Sequence, residues 1–207
     1  MRPHANTRPQ APMSRPRPGP PGFVRVIAGS LRGSKLPVPE GPGLRPTPDR
    51  VRETLFNWLM PVIEGARCLD LYAGTGALGI EAASRGAREV VLVERDARLA
   101  AALRAQVERL KVAQASVACA DAAHYLGGPP VPFDVVFLDP PFDAGLWPAS
   151  ASALEERGWL APAAWIHVES AREAPPAVPP NWALWRELNA GAVRSALYRR
   201  QLPGAIP

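Results

Sequence analysis

Short apolar runs alternate along this chain with longer stretches in which apolar residues recur every three or four positions. Val135, Val136, Phe137 and Leu138 form an unbroken run, as expected of a strand covered on both faces in a parallel sheet. Residues 68–71, 90–93, 116–120 and 164–168 read as further short strands, with 77–85, 97–111 and about 149–157 as the intervening helices. Leu99, Leu103, Val107 and Leu110 give the second of these helices its buried stripe. Two last strands, about 183–188 and 193–200, flank the hairpin signal Asn189-Ala190-Gly191-Ala192. Toward the N-terminus, 23–28 and 34–38 flank Gly29-Ser30-Leu31-Arg32-Gly33, a hairpin with a basic tip. Thr47 is placed to cap a helix that has Pro48 at its first position and runs to about Met60. Its stripe would be Val51, Leu55, Trp58 and Leu59, with Arg52 and Asn57 left for other faces. The pattern predicts an α/β fold: a doubly wound, mostly parallel sheet of seven strands, preceded by a hairpin and helix.

Composition divides the chain further. Residues 1–22 hold seven prolines and no acids, which cannot build a core, so a disordered basic tail is expected. Residues 23–62 then form the hairpin-and-helix extension and 63–207 the catalytic domain. Through Arg52 there are ten Lys or Arg against two acids; the rest of the chain holds fourteen against seventeen. A basic extension on a mildly acidic domain suits a polyanionic partner, and Arg25, Arg32, Lys35, Arg45 and Arg50 are the candidate phosphate contacts. Cys68 and Cys119 both fall in apolar strands and read as small core residues without a disulfide; His4, His124 and His167 are too scattered to imply a metal. No stretch approaches the roughly 20 apolar residues of a membrane span, and no cleavable leader is evident, so a cytoplasmic protein is expected. Nothing in the pattern demands a dimer, and a monomer is expected.

Candidate chemistry sits where strands end. After Leu138 come Asp139, Pro140, Pro141 and Phe142, and the prolines impose a rigid loop at the carboxyl edge, where open α/β sheets bind ligands. A planar heteroaromatic amine can donate to Asp139 and to the Pro140 carbonyl while stacking on Phe142. Upstream, Gly74, Gly76 and Gly79 satisfy a dinucleotide-type turn, with Glu94 closing the next strand at the spacing of a ribose-binding acid. That pattern fits a nicotinamide enzyme or an S-adenosylmethionine (SAM) enzyme. Asp70 decides: a carboxylate there would repel a pyrophosphate but favours the ammonium and sulfonium charges of SAM. Asp121, after the third strand, is a candidate acceptor for the adenine amine, or simply a helix cap.

The segments Arg25 to Leu36, Gly43 to Phe56, Asp70 to Gly79 and Asp139 to Phe142 together resemble the bacterial small-subunit ribosomal RNA guanine-N2 methyltransferases of the RsmD type. Arg45-Pro46-Thr47-Pro48-Asp49-Arg50-Val51-Arg52-Glu53 is the most specific of these signatures. The resemblance implies methyl transfer from SAM to the N2 amine of one guanine in 16S rRNA, with the assembled or partly assembled small subunit as substrate. An adenine-N6 methyltransferase would use the same Asp-Pro-Pro-Phe; a catalytically inactive RNA-binding module is the remaining alternative.

Overall fold

The structure is a computed structural model that describes residues 22–38, 47–141 and 145–202. Seven strands form one sheet in the order β5-β4-β3-β6-β7-β9-β8: β3 (Arg67–Asp70), β4 (Glu89–Glu94), β5 (Ala115–Cys119), β6 (Phe133–Leu138), β7 (Leu160–Ala171), β8 (Trp182–Ala190) and β9 (Val193–Arg200). β3 to β7 are parallel, whereas β9 runs antiparallel to β7 and β8 antiparallel to β9. From β3 the chain winds outward through β4 to β5, then returns to place β6 on the other side of β3. The order therefore reverses between β3 and β6, and a crevice opens above their carboxyl ends.

Helices α1 (Asp49–Ile63), α2 (Ala77–Ser84) and α3 (Ala97–Arg109) cover one face, where Leu55, Phe56, Leu59, Leu78 and Leu103 pack with Cys68, Leu92, Val135 and Phe137. The short α4 (Ala122–Leu126) and α5 (Trp147–Glu156) cover the other, where Leu126, Ala151 and Leu154 pack with Leu69, Val136, Leu138 and Ile166. Val135 to Leu138 are fully buried, so each contributes about 1.5–3 kcal/mol of hydrophobic stabilisation.

The expected hairpin forms from β1 (Phe23–Arg25) and β2 (Lys35–Pro37), with Val24 opposite Leu36. It is bolted to α2. Glu81 accepts from the Ile27 and Ala28 amides at 2.7 and 3.1 Å, while the Ser84 carbonyl and hydroxyl accept from the amides of Ser30 and Leu31. Gly29, at φ +81°, lies against the Ser84 carbonyl, where a Cβ would stand 1.8 Å from the oxygen. Arg52, left by the apolar stripe for another face of α1, turns inward toward the hairpin and α2. It is fully buried, donating to the Arg25 carbonyl and to Asp49, with Glu81 at 3.9 Å, because a buried Glu81 needs positive partners.

Other boundaries shift for tertiary reasons. Pro48 rather than Thr47 occupies the cap position of α1, no side chain caps it, and the helix continues past Met60 because Ile63 is buried. β7 extends to Ala171 because β9 pairs with it as far as that residue. Cys68 is buried as expected, but Cys119 is exposed, lying at the end of the edge strand β5. His167 is enclosed in the sheet, its Nε2 2.8 Å from the Ser195 hydroxyl, and burial pushes its pKa down to about 3, so it stays neutral. His124 is exposed. Among the described residues no helix is long and apolar enough to cross a membrane, and no group of side chains is arranged to hold a metal.

Candidate active site at the carboxyl edge of the sheet

β3 ends at Asp70, and the chain turns through Gly74 (φ +51°) and Gly76 (φ +75°) into α2. These left-handed conformations suit glycine. Gly76 and Gly79 also serve packing: a Cβ would stand 2.6 Å from Leu103 Cδ2 at the first and 2.3 Å from Leu92 Cδ2 at the second. Asp70, 2% exposed, accepts from the Gly79 amide at 2.9 Å, in the first turn of α2. Burial pushes its pKa up to about 7 against that hydrogen bond, and Glu94 adds repulsion. The Glu94 carboxylate is pinned at both oxygens, accepting from Gly74 N at 3.0 Å and Asp96 N at 2.8 Å. Asp121 is exposed and caps α4 through the His124 amide at 2.8 Å.

Asp139 follows β6 directly. Burial, then repulsion from Glu169 and Asp70, holds its carboxyl well above the usual carboxylate range, and among the described residues no hydrogen bond engages it. Pro140 beside it is buried; Phe142 lies outside the described residues, as does Arg45. Leu138 pairs with Val168, so the next residue on β7, Glu169, stands beside Asp139 at the same edge. Glu169 is 5% exposed and accepts from the Thr47 hydroxyl at 3.1 Å, and its own pKa is raised by burial against that hydrogen bond. Trp147 Nε1 donates to the Glu169 backbone carbonyl at 2.9 Å, fixing the strand locally.

Glu169 and Thr47 are the residues sequence reasoning missed. Glu169 could have been found by the logic that found Asp139, since it follows the apolar run 164–168 as Asp139 follows 135–138. The clue to Thr47 was its place in the most specific signature segment. Arg25, Arg32, Lys35 and Arg50 are all exposed on the hairpin and the start of α1; Arg25 and Arg32 line one groove with Asp49 and Glu53.

The donor set fits SAM. Asp70 is a buried acid with no cation paired to it among the described residues, and a ligand carrying ammonium and sulfonium charge relieves the strain that a pyrophosphate would increase. The reversal point between β3 and β6, with an acid-lined glycine turn and Asp-Pro-Pro at its mouth, defines a SAM-dependent methyltransferase. A family model described as Conserved hypothetical protein 95 matches residues 24–199. The chain is 49% identical over 193 residues to Ribosomal RNA small subunit methyltransferase D of Escherichia coli (strain K12), a match covering 93% of this chain and 98% of that protein. It is 47% identical over 182 residues to the protein of the same name from Haemophilus influenzae, covering 86% and 94%. The solved structure of the putative methyltransferase yhhF from Escherichia coli superposes with a TM-score of 0.80 at 50% identity, covering 87% of this chain and 99% of that one. The chain belongs to the ribosomal RNA small subunit methyltransferase D family.

Proposed function

We propose that this protein transfers a methyl group from SAM to the exocyclic N2 amine of one guanine in 16S rRNA, acting as a cytoplasmic monomer on the assembled or partly assembled small subunit. The observation that carries this reading is the Asp139 carboxylate, held beside Pro140 at the reversal point of the sheet and engaged by no hydrogen bond among the described residues. Asp70, Gly74, Gly76, Glu94 and Asp121 would hold the donor, with Asp70 toward its methionine amine, Glu94 toward the ribose and Asp121 toward adenine. When bound, SAM supplies an electrophilic methyl group.

Guanine N2 is a weak nucleophile because its lone pair is delocalised into the ring. Asp139 and the Pro140 carbonyl accept its two hydrogens, which draws the nitrogen toward tetrahedral geometry and aims its lone pair. As the N–C bond forms, the bond from the methyl group to the donor's sulfur would break and leave a neutral thioether, so positive charge develops on nitrogen beside fixed oxygens and the released proton passes to Asp139. Desolvation makes that carboxylate a better base than an exposed one. Phe142 would stack on the flipped base, and Arg25, Arg32, Lys35, Arg45 and Arg50 would hold flanking phosphates. Glu169, fixed by Thr47, keeps the proton affinity of Asp139 high by charge repulsion.

The test is to incubate the protein and SAM with small subunits from cells lacking the gene, digest the RNA to nucleosides and identify the product. N2-methylguanosine is expected; N6-methyladenosine would overturn the guanine assignment in favour of an adenine amine.

A further inference from the structure

The far edge of the sheet, away from α2 and α3, carries an aromatic and cationic ridge that the site above does not use. Leu184 pairs with Tyr198 and Arg186 with Leu197, so Trp185 is the extra residue of a β-bulge in β8. Side chains normally alternate between faces. The bulge breaks that alternation and sends Trp185 and Arg186 to one face, the face that α1 covers farther in. Four side chains interleave there. The Arg186 guanidinium lies 4.4 Å from the Trp185 ring centroid, Trp185 meets Trp165 edge-on at 4.9 Å, and Arg199 lies 5.7 Å from the Trp165 ring. Trp185 is 42% exposed. Arg186 and Arg199 are also exposed, and among the described residues neither forms an ion pair, whereas the neighbouring Arg194 and Arg200 do. Glu187, next along β8, pairs with Arg194 and faces the other side because it lies opposite Ala196. The ridge is therefore purely cationic and aromatic.

We infer that this ridge is a second RNA-contact surface that takes an unpaired nucleotide of the ribosomal RNA, its base stacked on Trp185 and its flanking phosphates paired with Arg186 and Arg199. The inference rests on the RNA-substrate reading above. Rings interleaved with uncompensated arginines match a polyanion that also has exposed π-faces, which is the chemistry of single-stranded RNA. Trp and Arg also recur at protein interfaces, and the naked-RNA arm of the experiment below separates the two occupants. Trp165 precedes Glu169 by four residues along β7, about 13 Å at the usual strand rise, so one folded RNA segment can touch both the ridge and the active-site edge.

The experiment measures binding of naked small-subunit rRNA to the full chain across a salt series. Trp185→Ala should weaken binding about tenfold and Trp185→Phe should restore most of it, because stacking needs only a flat ring. Arg186→Glu with Arg199→Glu should weaken binding and lower the salt slope by about 0.7 per lost single-strand contact. SAM affinity, measured by calorimetry, should stay unchanged in all three and so report an intact fold. Affinities and slopes equal to wild type in the folded charge-reversal variant would sink the surface while leaving the RNA-substrate reading intact. A defect confined to protein-containing subunits and absent on naked rRNA would assign the ridge to a protein and overturn the inference. Failure of the wild type itself to bind rRNA would instead overturn the substrate reading, and the surface with it.

Discussion

Asp139→Asn keeps the side chain's size but loses its charge and can place a donor where the amine needs an acceptor. Single-turnover methyl transfer should fall roughly 100-fold or more with SAM affinity little changed, and near-normal turnover would remove Asp139 from the mechanism. Its neighbours set the pH at which it works. The reaction needs ionised Asp139, so rate should climb with pH through the raised apparent pKa of the Asp139 and Glu169 pair. Glu169→Gln removes one source of repulsion and should move that limb to lower pH, a shift a purely structural loss would not produce. Asp70 carries a separate signature because its pKa is held at about 7. Affinity for the cationic donor should weaken as pH falls through 7, and Asp70→Asn should bind SAM poorly with a flatter profile. The stability consequence has the opposite sense. An acid whose folded pKa is raised loses stabilisation as pH rises from its unfolded value near 4 to its folded value, so Asp70→Asn without ligand should melt above wild type at pH 8, with the gap closing toward pH 4. Asp70, Asp139 and Glu94 were legible because each follows an apolar run at a strand end. Thr47 was misread as a cap because a Thr before Pro carries the same local signal whether it serves a helix or a distant carboxylate 122 positions away.

Among the elements, the hairpin depends most on contacts far along the chain. Gly29→Ala would force a Cβ onto the Ser84 carbonyl at a left-handed backbone position, so the hairpin must shift or detach. Urea unfolding should show a loss on the order of 1–3 kcal/mol, and RNA affinity should fall more than SAM affinity, since the hairpin carries Arg25, Arg32 and Lys35. Wild-type RNA binding by a folded Gly29→Ala protein would show that the hairpin's seating on α2 is irrelevant to recognition. The hairpin itself was readable from its turn and flanking runs. Its docking was not, because Glu81 and Ser84 sit in an ordinary helical stretch and no local pattern marks a helix residue as an acceptor for distant amides. The buried Arg52 escaped for the same reason, as a charged residue on a helix reads as exposed until its partner is known.

At the scale of the molecule, positive charge is concentrated in residues 1–22 and in the extension that follows them. Deleting residues 1–22 should weaken RNA binding at low salt and leave maximal rate nearly unchanged. Replacing Arg32, Lys35 and Arg45 with Ala should instead cut methylation severely and lower the salt slope by up to about 0.9 per duplex contact, with SAM binding intact. The reverse result would place recognition in the tail. The sequence by itself determined the alternation of strands and helices, the reversal of the sheet in outline, and the acids at strand ends, because hydrophobic period and proline or glycine punctuation act within a few residues. Tertiary structure decided which of those ends became neighbours. Register between β6 and β7 set Glu169 beside Asp139, α2 captured the hairpin, and a bulge in β8 turned Trp185 and Arg186 to one face. Each of these depends on pairing across dozens of residues, where the deciding energy is packing and hydrogen bonding between segments that carry no local mark of one another.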